Sequence, residues 1–543
     1  MPPDLLILNA NIHTMDMARP KADAILIRAG RVVMLGSCED VKARAGAKLR
    51  VIDAAGRLVL PGFQDAHVRL MDGGTDLIHT ARLGYATSLD DLQAALAEHA
   101  AKDGSALVMG GGWRAAYFGD ANLTRAVLDA VLPDRPCIVY DDSAHNACLN
   151  SAACMMAGIT QDAPDPLNGH IVRDAAGIPT GMLHEDAIPS ARDRLPAITD
   201  AIYLQGARMG QTHANSLWVT GVLDPAITGY QERAYAALAA SGDMSLRVTG
   251  AAKVDPTDTA QSVVARLTAL RSTHRSEYFQ IQSAKFFIDG ILENRTAVLL
   301  TDYSDAIGGN APLMFDPQHI ATLFTALDAA QFQIHVHVIG DGAARAALDG
   351  FEAALKANAP WPSLHQLAHL QVIDPADIPR IAALGAMANI QPLWARYEPG
   401  SADPTQAMIG PIRAPNTYAF RQMLASGAAF CLSSDWPVTT MNPFEIIETA
   451  VSRQPPGHDG NSSAFYPAER LTVAEAVLGY TAHAATACWR GYYTGCLLAG
   501  FSADLIVLYR NIMTCDISSI SETRVLLTLF KGREVYRHPS FEG

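Results

Sequence analysis

Gln333-Ile334-His335-Val336-His337-Val338-Ile339-Gly340-Asp341 leads into a helical stretch over 342–357, and Gln366-Leu367-Ala368-His369-Leu370 follows it. The two apolar runs are too short for helices and have the character of buried strands. The stretch between them is long enough to carry the chain back across a sheet, so the second strand lies parallel to the first. Working outward, the same alternation recurs. Apolar runs at 219–223, 284–288, 386–390 and 429–433 read as further strands, and 88–101, 203–217, 257–271, 317–330, 375–384 and 472–480 as helices. Polar or ionisable residues close many of these strands, which is where a parallel barrel keeps its reactive groups. The expected fold is α/β, a (β/α)8 TIM-like barrel.

The chain ends have a different texture. Leu5-Leu6-Ile7-Leu8, Ala24-Ile25-Leu26-Ile27 and Arg31-Val32-Val33-Met34-Leu35 are short runs bounded by Asn, Gly and Asp, and so are Leu505-Ile506-Val507-Leu508 and Val525-Leu526-Leu527-Thr528-Leu529-Phe530. They read as β-hairpins. Either end alone is too short for a good core. One small β-sandwich is therefore expected from 1–60 and 495–543 together, flanking a barrel domain over 61–494. Gly110-Gly111-Gly112 and Pro133-Asp134-Arg135-Pro136 mark an insertion at about 70–200 over the barrel mouth.

The 543 residues are 49% hydrophobic and 18% charged, a globular mixture. Asp and Glu outnumber Lys and Arg by 55 to 41, for a net charge of -14, which argues against a nucleic-acid partner. No apolar run reaches membrane-spanning length, and Met1-Pro2-Pro3-Asp4 lacks the basic start of a secretory signal. The eight cysteines are scattered without a CxxC pair, which speaks against a disulfide framework or thiolate zinc site. The expectation is a cytoplasmic homodimer acting on a small molecule, with neither membrane nor nucleic acid as partner.

Chemistry-bearing residues fall on the strand-like runs. In Leu60-Pro61-Gly62-Phe63-Gln64-Asp65-Ala66-His67-Val68-Arg69, His67 is a candidate imidazole ligand. His337 and His369 stand in apolar runs, where an imidazole needs a partner to offset its burial. Ser434-Asp435-Trp436-Pro437 puts a carboxylate at a strand end before a rigid turn, where Asp435 also reads as a helix cap or turn residue. In Lys285-Phe286-Phe287-Ile288-Asp289, alternation puts Lys285, Phe287 and Asp289 on one face. A buried lysine tends to lose its charge, and the neutral amine can add CO₂ to give a metal-bridging carbamate. The plainer alternative is a salt bridge from Lys285 to Asp289 or Asp435. Trp113, Arg114, Tyr117, Phe118, Trp394 and Trp436 suggest a partly aromatic pocket at the barrel mouth.

The sequence resembles the amidohydrolase superfamily, in the amidohydrolase family 3 branch that includes N-substituted formamide deformylases and YtcJ-like proteins. The likeness runs nearly end to end. Its pieces include Pro61-Gly62-Phe63-Gln64-Asp65-Ala66-His67, Asp134-Arg135-Pro136, His145 with Asn150-Ser151, Lys285 with Asp289-Gly290, His337 with Ile339-Gly340-Asp341, His369, Gln391-Pro392, Ser434-Asp435-Trp436-Pro437 and Ala503-Asp504-Leu505. The resemblance implies a divalent metal, zinc first, as one or two ions. It makes His67 the ligand of the first strand, Lys285 the carboxylated lysine of the fourth, and His337 and His369 the ligands of the fifth and sixth. Asp435, on the eighth, would bind metal and take the proton of a metal-activated water attacking an amide or N-formyl C–N bond. His145 would contact the substrate carbonyl, although a satisfied loop histidine accounts for it equally well.

One departure matters. The family has His-x-His on the first strand, and here Arg69 takes the second place. A guanidinium has no lone pair for a metal and keeps its proton. Three readings follow, in order: a single metal held by Lys285 carbamate, His337 and His369; Arg69 standing in for the second cation; or a non-hydrolytic relative, whether a single-metal decarboxylase or a ligand-binding pseudoenzyme. Ala368, where the family often has an acid, removes a contact behind a ligand.

Overall fold

The computed structural model describes residues 4–46, 49–114, 123–305, 307–397, 404–458 and 462–542. Eight parallel strands form one sheet: β1 (Phe63–Asp65), β2 (Val219–Ile227), β3 (Arg247–Lys253), β4 (Phe279–Phe287), β5 (Gln333–Val338), β6 (Gln366–His369), β7 (Met387–Ile390) and β8 (Ala429–Leu432). Each pairs with the next in chain order, so the sheet curls into a nearly closed barrel. Every residue of β5, β6 and β7 is buried. Strands covered on both faces read as unbroken apolar runs with a few inward polar residues.

Several elements go beyond the expected spans, among them the strands of the sheet within 70–210, the helices Gly229–Ser241 and Pro443–Ser452, strand β3 and a short N-terminal helix. Strand β3 is Arg247-Val248-Thr249-Gly250-Ala251-Ala252-Lys253, buried up to its last residue. Its Thr, Gly and Ala give little apolar signal, because small residues there let neighbouring side chains fit. A Cβ on Gly250 would sit 2.9 Å from Ile227 and 3.3 Å from Ile281. The helix Cys38–Ala45 starts at Ser37, whose side chain accepts the Asp40 N–H. The expected helices lie close to their spans, as with Asp200–Ser216, Pro317–Ala329 and Asp341–Ala357.

The first and eighth strands do not form a ladder, because β1 has only three residues. Discrete bonds close the seam instead. The Ser434 N–H donates to the Asp65 carboxylate, the Asp435 N–H to the His67 carbonyl, and the Arg69 N–H to the Trp436 carbonyl. Amides also run through the barrel interior. Asn389 donates to Gln366 at 2.8 Å, Gln366 to Gln333 at 2.9 Å, and Ser283 to Gln333 at 2.8 Å. A carboxamide both donates and accepts, so a chain of them satisfies itself without net charge.

Both chain ends contribute to the remaining sheets of this unit. Strands Leu5–Leu8, Ala24–Arg28, Arg31–Gly36 and Arg50–Asp53 form a four-stranded sheet. Asn11–His13, Lys21–Ala22 and Leu58–Pro61 join Leu505–Leu508, Val525–Phe530 and Arg533–Arg537 in a six-stranded one. Their apolar faces share a core that includes Ile7, Ile25, Val59, Leu505 and Leu527.

Leu70–Gly210 together with Pro437–Thr439 forms a separate compact unit. It contains its own six-stranded sheet, and its core includes Trp113, 1% exposed, with Leu83, Leu128 and Val139. That core placement corrects the expectation that Trp113 lines a pocket: a ring this deeply packed presents no face to a ligand. Tyr117 and Phe118 lie outside the described residues. Among the described residues, all eight cysteines are unpaired and no helix is long and apolar enough to cross a membrane.

Candidate metal centre

Three of the five expected ligands meet at the strand ends. One donor atom each from His67, His369 and Asp435 lies within 4.8 Å of the others, and all three residues are buried. His67 Nε2 stands 3.5 Å from Asp435 Oδ1. The backbone is bent to achieve this. His369 has φ 80° and Asp435 φ 56°, a left-handed conformation that non-glycine residues rarely adopt. Such strain persists where surrounding structure over-determines it, commonly at functional sites.

The electrostatics favour lone pairs over protons. Burial, before any neighbouring charge, holds His67 well below its ordinary imidazole pKa. Two imidazoles and a carboxyl group, buried and convergent, are a donor set that a borderline-soft divalent cation accepts. The residues therefore fit the metal that the sequence implies.

Lys285, on β4, is fully buried, and its Nζ has no hydrogen-bond partner among the described residues. It sits 4.6 Å over the Phe287 ring. Burial and then the Arg69 charge push its pKa well below the usual lysine range, against a smaller pull from Asp435. That direction favours the neutral amine, the form that adds CO₂. Asp289 is committed elsewhere. Its carboxylate accepts the backbone N–H groups of Val298, Ile339 and Gly340 at 2.9–3.1 Å and so pins the loop after β5.

His337 lies beside the cluster, with its ring centroid 4.5 Å from that of His369, and its Nε2–H donates to the Gly290 carbonyl at 3.1 Å. His335, two residues earlier and not among the expected ligands, also joins the cluster. Its Nε2 lies 2.9 Å from His67 Nδ1. If His67 offers Nε2 to a metal, its Nδ1–H must donate to His335, which fixes the His67 tautomer. The signal was present as His-x-His in one strand, since alternate residues share a face. Asp65 is a second addition. It accepts the N–H groups of His67 and Ser434, and burial pushes its carboxyl up to about 7.

Trp394 stacks on His369 with planes 7° apart and centroids 5.1 Å apart, and Trp436 stacks on His213 at 4.9 Å. These two tryptophans supply the aromatic surface expected near the strand ends. His145 belongs to the other compact unit, where its Nδ1 lies 2.7 Å from Glu185 Oε2. Arg69 follows His67 on the seam. Its side chain makes no hydrogen bond or ion pair among the described residues, and its Nε is sealed from solvent.

A parallel eight-stranded barrel with histidines, a lysine and an aspartate at the ends of its strands is the architecture of an amidohydrolase. The amidohydrolase family 3 model matches residues 50–536, and the chain belongs to that family, a family of metal-dependent hydrolases. It is 29% identical to the protein LONG AFTER FAR-RED 3 of Arabidopsis thaliana, over 98% of this chain and 91% of that one. It is also 29% identical to the N-substituted formamide deformylase of Arthrobacter pascens, over 97% of each chain. Among solved structures it resembles an uncharacterized metal-dependent hydrolase from Pyrococcus horikoshii OT3. That match has TM-score 0.76 and 22% identity, covering 95% of this chain and 99% of the other.

Proposed function

We propose that this protein hydrolyses a C–N bond of the amide or N-formyl type, with one divalent metal, zinc first, held among His67, His369, Asp435, His337 and a carboxylated Lys285. The observation that carries the reading is the meeting of His67, His369 and Asp435 donor atoms within 4.8 Å in a buried setting. The likeness to a deformylase of N-substituted formamides supports the choice of bond. When bound, the cation lowers the pKa of the attacking water and polarises the scissile carbonyl. Asp435 accepts the proton of that water and returns it to the leaving nitrogen. His335 holds the His67 ring in the ligating tautomer, and Trp394 fixes the ring of His369 by stacking. Residues 61–494 form the catalytic domain in this reading, 1–60 and 495–543 its β-sandwich, and the working assembly is a cytoplasmic homodimer.

Arg69 favours a second reading, a single-metal decarboxylase or a pseudoenzyme, because it removes a ligand from the first strand. Metal analysis of the purified protein with a panel of N-formyl amines and simple amides separates the two. About one metal per chain with C–N turnover is expected. CO₂ release from a carboxylic acid would establish the decarboxylase, and a metal-free, inert protein the pseudoenzyme.

A further inference from the structure

We propose that Arg69 is a carboxylate anchor, so that the substrates are acidic amides: N-acylated or N-formylated amines that carry a carboxylate near the bond to be cleaved. This deepens the hydrolase reading above and rests on it.

Arg69, half-buried, differs from other well-packed arginines of this chain. Arg247 pairs with Asp504, Arg413 with Asp341, and Arg453 donates to the carbonyls of Phe465 and Tyr418. The Arg69 side chain has no such acceptor among the described residues, and its Nε is shut off from solvent. A guanidinium keeps its proton, and a half-buried one without an acceptor in the chain is suited to pair with an anion that reaches it.

The nearby carboxylates of the chain have other work. Asp65 takes the N–H groups of Ser434 and His67, and Asp435 faces His67 at 3.5 Å. The main chain of Arg69 is also tied to the strand-end cluster. It comes two residues after His67, and its own N–H is tied to the carbonyl of Trp436, the neighbour of Asp435. The charge of Arg69 bears on both Lys285 and His67, which puts the guanidinium within electrostatic reach of the strand-end cluster. One planar guanidinium fork matches one planar carboxylate through two parallel hydrogen bonds.

The test is calorimetric titration of the metal-loaded protein with N-acetylphenylalanine and with its uncharged amide, N-acetylphenylalaninamide. Wild type should bind the acid about 10- to 100-fold more tightly than the amide, the usual worth of a charged hydrogen-bonded pair. Arg69→Gln should abolish that preference with metal content unchanged, and Arg69→Lys should keep part of it. If Arg69→Gln does not fold, Arg69→Lys carries the test, because a point charge without the fork should still show a reduced preference. No preference in wild type, or an undiminished one in the variants, overturns the proposal. A loss of ¹³C-carbamate signal from Lys285 in Arg69→Gln, with the acid preference intact, would make the carbamate the true partner and also overturn it. The underlying reading fails separately. A wild type that prefers the acid yet cleaves no C–N bond keeps the anchor and loses the hydrolase, whereas one that cleaves neutral amides with no acid preference does the reverse.

Discussion

The backbone N–H of Asp435 donates to the carbonyl of His67 at 2.9 Å, joining the two residues across the seam of the barrel. The same two side chains stand 3.5 Å apart. Main chain and side chains are therefore set by one contact, and closing the barrel also assembles the candidate centre. Asp435 reaches its position through a left-handed backbone, φ 56°, that its neighbours must hold in place.

Asp435→Asn should leave the fold intact and remove turnover. Asparagine keeps the shape and the backbone bond but cannot accept the proton. A fall in kcat of about 10²- to 10⁴-fold is expected, with an unchanged circular dichroism spectrum. Activity near wild type would identify another base.

Lys285→Ala should lose metal and activity together, because the site would lose its carbamate. A short carboxylic acid such as acetate should restore part of both. The check is metal content with and without the added acid, alongside ¹³C NMR of intact protein equilibrated with labelled bicarbonate. An unmodified lysine in a fully metallated wild type would rule out the carbamate.

Arg69→His should raise the metal content from about one ion per chain towards two. A guanidinium would repel a second divalent cation bound beside it, and imidazole would supply a lone pair in its place. Elemental analysis reads the outcome. Two ions already present in wild type would sink this account of Arg69.

Glu475 links stability to pH. Its carboxylate accepts two hydrogen bonds from Arg421, at 2.8 and 2.7 Å, and closes the capping box of the helix Val473–Leu478 with Thr472. The Arg421 bonds come first among the causes that hold its carboxyl at about 2, below the ordinary 4.5. A group with a depressed folded pKa stabilises fully above its unfolded value, and that contribution drains away as pH falls through the folded one. Glu475→Gln should therefore lower the melting temperature at pH 7, by the equivalent of ~1 kcal/mol after discounting for solvent screening. The gap to wild type should close between about pH 4.5 and 2. A gap that is constant with pH would mean that the charge contributes nothing.

Asp504 ties the C-terminal strands to the barrel. It accepts from Arg247 at 2.5 Å and from the Lys531 N–H at 2.7 Å, and both Asp504 and Arg247 are buried. Asp504→Ala removes the buried counter-charge of Arg247, leaving it the partly exposed Glu277 at 3.2 Å, and should cost about 1.5–3 kcal/mol. Chemical denaturation measures it, and a loss under about 1 kcal/mol would show that water or another group takes over.

The sequence by itself determined the parallel strands, because burial on both faces demands continuous apolar runs, and these stand out between helices of the right length. It also determined the strand-end positions of His67, Lys285, His337, His369 and Asp435, since ionisable residues in such runs require partners. The weak strand Arg247–Lys253 stayed hidden, because its small residues are chosen by the Ile227 and Ile281 side chains packed against it. Tertiary structure alone decided which nitrogens converge. Spacing in the chain carries no ring orientation, so only the folded barrel turns His335 onto His67 and His337 onto the Gly290 carbonyl. It also decided that Arg69 lacks a counter-charge among the described residues, because pairing depends on what long-range closure brings within reach, and the carboxylates brought near it already serve His67 and the seam.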